Sequence, residues 1–226
     1  METLERIRKA YTEFVLEHGS QPTSIFQFAK KLKIAEPEFY TYYASFDAIE
    51  ADIWLTFFTE ARTTVEGDDT YQGYSVREKL LAFYYTWIEL LKGQRSFVVY
   101  SYGRLNPLAS PASRAGLISR QRTATTNPRD VFKPFKAAFY DYTRDLLAEG
   151  RESKEVEPRP FVGDRYVNGL WRQTLFLLSF WVRDGSKGFE KTDTAIEKSV
   201  NTAFDLIGRS PLDTLFDLVK FTLQNR

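Results

Sequence analysis

Residues 23–49, TSIFQFAKKLKIAEPEFYTYYASFDAI, contain the pattern that decides the fold. Apolar and small side chains recur there at the i, i+3, i+4 and i+7 spacing of one helical face, at Ile25, Phe28, Ala29 and Leu32. Thr23 or Ser24 can cap the start of this helix. A second helix is predicted from Glu36-Pro37-Glu38, because proline and acidic residues suit a first helical turn. Two helices joined by about three or four residues form a helix-turn-helix.

Two further helices flank this pair. The first carries its apolar face on Ile7, Ala10, Tyr11, Phe14 and Val15, and it is predicted to end at Gly19, a residue that accepts positive φ. The other begins near Phe46 and continues through apolar residues to about residue 61. The first sixty residues are therefore predicted to form a small helical bundle.

This arrangement resembles the TetR family of bacterial transcriptional regulators. The family pattern is a helix ending in glycine, a Thr-Thr-apolar-x-x-apolar-Ala helix, a turn, a recognition helix with Leu-Tyr-x-Tyr-Phe, and an apolar fourth helix. The corresponding residues here are Gly19, 23–29, 39–43 and 46–49, in register and without a gap. The resemblance implies an all-α fold with an N-terminal three-helix helix-turn-helix bundle and a larger C-terminal helical domain for ligand binding and dimerisation.

The chain departs from the family pattern at the turn and at the recognition helix. Lys33 stands where the family usually has glycine, and Ala35 stands where a serine or threonine usually caps the recognition helix. Glu36 and Glu38 replace cationic and hydroxyl residues, and Phe46 replaces a lysine that contacts phosphate. We therefore expect weaker electrostatic attraction to DNA than the family norm.

The charge of residues 1–60 supports this expectation. Six basic side chains and ten acidic side chains give a net charge of −4. Non-specific DNA affinity comes mostly from cationic side chains that neutralise phosphates, so this charge predicts weak attraction. The lysine cluster at 30, 31 and 33 is either a solvated face or a phosphate contact, and the tyrosines either pack or reach the DNA. The candidate DNA-binding residues are Thr23, Ser24, Lys30, Lys31, Lys33, Glu38, Tyr40, Thr41 and Tyr42.

Composition limits the function classes. The 226 residues have a formal net charge of +1 and a pI near 7.8, which give no overall attraction to nucleic acid or anionic membranes. The absence of cysteine excludes disulfides and thiolate metal sites. The start, METLERIRKA, lacks the apolar run of a signal peptide, and no stretch approaches the roughly 18 apolar residues of a membrane span. We predict a soluble cytoplasmic protein without a cofactor or metal.

The rest of the chain is predicted to be helical, at about residues 76–91, 97–105, 131–147, 162–183, 191–207 and 212–223, with an irregular stretch at 106–130. A turn sequence at Glu66-Gly67-Asp68-Asp69 predicts a domain junction, so that residues 1–65 form the DNA-binding-like domain and 66–226 the ligand-binding and dimerisation domain.

The TetR resemblance implies a pocket inside the second domain and a dimer formed by its last long helices. Aromatic residues make up 16% of the chain, which suits a pocket for an apolar ligand, although packing explains any single one as well. The candidate pocket residues are Phe83, Tyr84, Trp87, Tyr100, Tyr102, Phe135, Phe139, Trp171 and Phe176, with Arg104 or Arg172 for an acidic head group. The candidate dimer residues are Leu170, Leu178, Trp181, Ile196, Val200 and Phe204.

Catalysis has little support in the sequence. The only histidine, His18, lies beside Gly19 at a helix end, where capping explains it, and no nucleophile elbow or glycine-rich phosphate loop is present. We predict a homodimeric repressor that binds double-stranded DNA under the control of a small apolar ligand. The alternative is a TetR-fold protein without DNA binding that holds a lipid, an isoprenoid or a partner protein, which the acidic recognition helix favours.

Overall fold

The computed structural model describes residues 3–105, 128–159 and 163–208, which form helices joined by turns and contain no strand. This confirms the predicted all-α fold. The helices are α1 (Thr3–His18), α2 (Ile25–Lys31), α3 (Glu36–Tyr42), α4 (Phe46–Glu66), α5 (Val76–Gly93), α6 (Arg95–Leu105), α7 (Pro128–Val131), α8 (Lys133–Glu152), α9 (Gly163–Arg183) and α10 (Glu190–Ile207), with 3-10 turns at Tyr71–Gly73 and Lys187–Phe189.

The predicted helices agree with this order over most of the chain. The helix predicted from 131 is preceded by the short α7, which starts at Pro128, inside the stretch predicted to be irregular. The predicted helix at 212–223 and most of the irregular stretch lie outside the described residues. Within the described residues, no helix combines the length and the apolar character that crossing a membrane requires.

The chain divides into two compact units. Unit 1 comprises residues 1–60 and 87–138, and unit 2 comprises residues 61–86 and 139–226. The sequence predicts a single division after residue 65, and that functional division stays a prediction.

The core of unit 1 is aromatic. Tyr11 of α1, Phe28 of α2, Phe39 of α3 and Phe46 of α4 lie within 5.4–6.5 Å of one another in ring-to-ring contacts. Such stacked and edge-on pairs add to the hydrophobic stabilisation of buried rings. The cluster therefore joins all four N-terminal helices.

A buried carboxylate lies beside this cluster. Glu50 of α4 has no solvent exposure, and its oxygens accept hydrogen bonds from Tyr11 (2.6 Å), Ser101 (2.8 Å) and Arg104 (2.8 Å). A buried charge is tolerated only when it is paired in this way. Burial and the Glu50 charge raise the pKa of Tyr11, so its hydroxyl remains a donor. The network fastens α1 and α6 to α4.

Unit 2 is built around α5, α8, α9 and α10. Phe83 packs against Tyr142 at 5.2 Å, and the Tyr84 hydroxyl bonds the Thr174 hydroxyl at 2.9 Å. The α8 helix approaches the following chain closely, because a Cβ on Gly150 would lie 2.5 Å from Val156 Cγ2. This close approach explains the glycine.

Candidate nucleic-acid interface

The α2 helix begins and ends with recognisable capping geometry. The Ser24 hydroxyl accepts a hydrogen bond from the Gln27 amide at 3.3 Å, so Ser24 rather than Thr23 is the N-cap. At the other end, Ile34 N–H donates to Ala29 C=O and Lys33 N–H donates to Lys30 C=O, both at 3.1 Å. This is the Schellman motif, in which the residue after the C-cap takes the left-handed conformation.

Lys33 occupies that left-handed position, with φ of 56°. Glycine is favoured there because an L side chain crowds the backbone at positive φ. The sequence comparison with the TetR pattern predicts this position to be the turn. The structure confirms that the turn needs a left-handed residue and uses a lysine for it.

The α3 helix starts without a side-chain cap, as the sequence predicts. Ala35 is its N-cap residue and makes no side-chain hydrogen bond, while Pro37 lies in the first turn. Glu36 and Glu38 are the acidic residues of that turn, where the helix dipole favours negative charge. The dipole therefore partly substitutes for the missing cap.

Two side chains attach α3 to the rest of unit 1. Phe39 is fully buried in the aromatic cluster, and the Tyr43 hydroxyl donates to Asp52 Oδ2 at 2.6 Å. Arg8 Nη1 lies 3.5 Å from the same carboxylate oxygen and donates to the Thr56 hydroxyl at 2.5 Å. The outer face of α3 is thereby held toward solvent.

The candidate DNA-binding residues lie close together in sequence on α2, the turn and α3. Thr23, the three lysines, Glu38, Tyr40, Thr41 and Tyr42 are exposed. Ser24 is half-buried and its hydroxyl serves the cap, and the Thr41 hydroxyl donates to Glu38 C=O at 2.7 Å. Lys31 Nζ lies 5.4 Å from the Phe14 ring centre. Side chains of Lys30, Lys33, Tyr40 and Tyr42 are therefore the most available for a ligand.

Sequence reasoning missed one exposed aromatic residue of this surface. Phe26 of α2 has 57% of its surface exposed, beside 50% for Tyr40 and 39% for Tyr42. The helical spacing gives the signal, because Phe26 lies one residue away from the buried face defined by Ile25, Phe28 and Ala29.

The structure also changes the charge count of this unit. Arg104 of α6 lies 2.7 Å from Asp47 and 2.8 Å from Glu50, and Arg8 pairs with Asp52. Arg104 and Arg8 therefore pair with three of the ten acidic residues counted in residues 1–60, and Arg104 comes from outside that segment. The negative charge facing solvent is smaller than the sequence count.

The candidate pocket residues belong to both units. Trp87, Tyr100, Tyr102, Arg104 and Phe135 lie in unit 1, and the others lie in unit 2. In unit 1, Trp87 and Phe135 are fully buried with their rings 5.6 Å apart. Burial, and then the Glu50 charge, raises the pKa of Tyr100 to about 12.

The unit 2 members are of two kinds. Phe83, Tyr84, Phe139 and Trp171 are buried, with Phe139 and Trp171 5.8 Å apart. Phe176 is 51% exposed and Arg172 is exposed.

The role suggested for Arg104 needs correction. Burial would lower its pKa, but the charges of Glu50 and Asp47 outweigh this effect and raise it, so the guanidinium stays charged. Both carboxylates already contact its Nη2 atom. Arg104 therefore serves the buried network of unit 1, and Arg172 is the cation of the two that faces solvent.

The candidate dimer residues are buried within their own chain. Exposure is 3% or less for each of Leu170, Leu178, Trp181, Ile196, Val200 and Phe204. They pack the core of unit 2, so these six side chains are not available to a second subunit. Phe176 and Leu206 are the large apolar side chains that these helices expose, with Leu206 at 66%.

Comparison with known families identifies the chain. The family model described as the tetracyclin repressor-like C-terminal domain matches residues 79–222. The chain belongs to the TetR family of transcriptional regulators. The helix-turn-helix pattern lies at residues 19–49, and the family model matches residues 79–222. Two separate parts of the chain therefore agree on the TetR family.

Solved structures share the fold. Thermus thermophilus FadR, a TetR family transcriptional repressor solved in complex with lauroyl-CoA, is 20% identical, with a TM-score of 0.63 over 92% of this chain and 97% of that one. A protein of unknown function from Rhodococcus sp. RHA1 is 12% identical, with a TM-score of 0.54 over 92% and 97%. A putative TetR family regulator from Shewanella sp. PV-4 is 13% identical, with a TM-score of 0.51 over 90% and 96%. No curated protein sequence matches the chain.

Proposed function

We propose that this TetR-family chain is a homodimeric regulator, acting as a repressor, that binds double-stranded DNA through α2 and α3. The observation that carries the proposal is the α2–α3 pair itself. Phe39 and Tyr43 anchor α3 from inside, while Lys30, Lys33, Tyr40 and Tyr42 are left exposed along the same unit. Lysine and tyrosine side chains contact phosphates, and a helix held in this way can enter the major groove.

Control by a small apolar ligand is the second part of the proposal. The FadR structure holds lauroyl-CoA, which joins an apolar acyl chain to a charged CoA group, and this supports a ligand with an apolar part for a protein of this fold. A ligand that binds one dimer geometry better shifts the population toward it. If that geometry moves the two recognition helices away from the roughly 34 Å spacing of successive major grooves, DNA is released.

The functional division proposed from the sequence assigns residues 1–65 to DNA and 66–226 to ligand and dimer. We infer that the chain acts by binding rather than by catalysis. The pocket residues proposed for the ligand in unit 2 are Phe83, Tyr84, Phe139, Trp171 and Phe176, with Arg172 for an acidic head group.

A second candidate function rests on a specific observation. Glu36 and Glu38 occupy the first turn of α3, where carboxylates would repel phosphates. A TetR-fold protein that holds a lipid, an isoprenoid or a partner protein without binding DNA would tolerate them.

Fluorescence anisotropy with DNA from upstream of the protein's own gene separates the two functions. The regulator predicts sequence-selective binding that weakens between about 50 and 200 mM salt, because counterions are released. The double variant Lys30→Gln/Lys33→Gln should bind more weakly with a shallower salt dependence. Lys187→Gln/Lys198→Gln, which removes two exposed lysines of unit 2, is the matched control and should bind like the native protein.

The charge-reversed double variant Glu36→Lys/Glu38→Lys distinguishes the regulator from the second candidate function. Selective binding by the native protein supports the regulator. Binding that arises only in the reversed variant supports the second candidate, because α3 would then have the shape of a DNA reader and lack only the charge.

A further inference from the structure

Unit 1 contains a cleft that the helix-turn-helix does not use. It has a volume of about 610 Å³ and lies between α1, α4 and the connection from α5 to α6. Volumes of this size are typical of small-molecule sites. All of its lining residues belong to unit 1.

The walls of the cleft are apolar on one side. Ile53 and Phe57 of α4 are one helical turn apart and contribute their nearly buried side chains, and Leu16 of α1 is 50% exposed. Gly93, at the end of α5, adds open space, since a Cβ there would meet nothing within 4 Å. An apolar body of modest size would bury the exposed surface of Leu16.

The guanidinium group of Arg8 belongs to the lining of the same cleft. The Arg8 side chain is 23% exposed, and its contacts with Thr56 and Asp52 both involve Nη1. Among the described residues, Nε and Nη2 of Arg8 make no hydrogen bond, although a guanidinium offers five N–H donors. Two parallel donors of this kind match the two oxygens of a carboxylate.

The neighbouring charges limit the ligand to one negative charge. Three more cations line the cleft beside Arg8. They are Lys9, which is 65% exposed and 4.0 Å from Glu13, Lys92, which is 2.8 Å from Glu89, and Arg95. Glu5, Glu13 and Glu60 also line the cleft. Four cations against three carboxylates leave the lining with a net charge of +1. One carboxylate on the ligand balances this charge, whereas a polyanion such as DNA or a nucleotide would exceed it.

We propose that this cleft binds a small amphipathic monoanion, with its carboxylate on Arg8 and its apolar body against Leu16, Ile53 and Phe57. The site is separate from the candidate pocket of aromatic residues and does not depend on DNA binding. Arg8 also pairs with Asp52, which holds Tyr43 at the end of α3, so the occupied site touches the support of the recognition helix.

Isothermal titration calorimetry with 4-phenylbutyrate tests the site, with the uncharged 4-phenyl-1-butanol as the comparison ligand. The native chain should bind 4-phenylbutyrate saturably and the alcohol at least about tenfold more weakly, a difference of about 1.4 kcal/mol. Gly93→Trp fills the cleft and leaves Arg8 and its partners in place, so it should weaken binding by tenfold or more. Leu16→Asp, at an exposed position, should weaken it similarly.

Gly73→Trp is the matched control, because a Cβ there also meets nothing within 4 Å and Gly73 does not line the cleft. It should bind 4-phenylbutyrate like the native protein, and circular dichroism should give the same helix content for all variants. The proposal is overturned if the native chain shows no saturable binding, if both cleft variants bind as tightly as the native chain, or if the alcohol binds as tightly as the carboxylate.

Discussion

The connection from α2 to α3 and the connection from α9 to α10 join helices by opposite means. In the first, Lys33 takes a left-handed conformation and the N-cap residue Ala35 provides no side-chain hydrogen bond. In the second, Asp184 accepts hydrogen bonds from the backbone and hydroxyl groups of both Ser186 and Thr192, at 2.7–2.9 Å.

Left-handed residues occur in both connections, so backbone strain alone does not separate them. Gly188 and Phe189 have φ of 63° and 65°, and Phe189 packs against Trp181 at 5.8 Å. The difference lies in the hydrogen bonds to the Asp184 side chain, which hold the connection from α9 to α10 in one conformation. Turns that lack such bonds open locally at lower free energy, which suits a surface that must adapt to a partner.

The largest expected effect comes from Asp184→Ala. The variant loses four hydrogen bonds at the start of α10, and we expect unfolding of unit 2 to cost about 2 kcal/mol less. Urea denaturation followed by tryptophan fluorescence measures this, since Trp181 lies next to the turn. Asp141→Ala removes an exposed carboxylate paired only at the surface and should change stability by less than about 0.5 kcal/mol. Equal effects of the two substitutions would show that the Asp184 bonds do not stabilise the turn.

Lowering the pH should remove part of the stability that the Asp184 hydrogen bonds contribute. Burial alone would raise the pKa of Asp184, but the bonds from Ser186 and Thr192 outweigh it and lower the pKa to about 2. The folded-state pKa is thus below the unfolded value of about 3.9, so the contribution is complete above pH 4 and is lost as the pH falls toward 2. Asp184→Asn lacks this loss, and its stability difference from the native chain should shrink between pH 6 and pH 2.5. A constant difference would mean that the carboxylate charge contributes nothing.

Lys33→Gly should stabilise the α2–α3 turn. Glycine relieves the left-handed strain at a small cost in unfolded-state entropy, leaving a gain of about 0.5 to 1 kcal/mol. Hydrogen–deuterium exchange of the α3 amides should slow accordingly. Lys198→Gly, an exposed site inside α10, should lose about 1 kcal/mol, because glycine disfavours a helix interior. A change of the same sign in both variants would contradict the role assigned to Lys33.

Ala35→Ser should have the smallest effect. A hydroxyl at the N-cap can accept a bond from the first turn of α3, and we expect a gain of about 0.5 kcal/mol, visible as slower exchange of the Glu38 amide. Ser24→Ala, which removes the existing cap of α2, should give a change of similar size and opposite sign. Unchanged exchange in α3 after Ala35→Ser would show that the first-turn amides gain nothing from a hydroxyl cap.

Sequence reasoning predicted the local features of the α2–α3 pair. The N-cap at Thr23 or Ser24, the uncapped start at Ala35 and the turn at Lys33 each depend on a few neighbouring residues. The structure confirms these features and selects Ser24 as the N-cap. It did not predict the partners of the buried carboxylates. Arg104 lies 54 residues from Glu50 in the chain and looks from sequence like a free cation. Phe26 lies off the apolar face predicted for α2, and sequence reasoning did not name it as an exposed aromatic residue.

The sequence by itself determined the helices, their caps and the family, because helical periodicity, capping and family register are local properties of the chain. Tertiary structure decided which side chains are free. It placed the six candidate dimer residues in the core of unit 2, paired Arg104 with Asp47 and Glu50, and placed Arg8 in the lining of a cleft with its Nε and Nη2 atoms not hydrogen-bonded to the described residues. These outcomes depend on contacts between residues far apart in sequence, and spacing along one helix does not specify which neighbour will cover a given face.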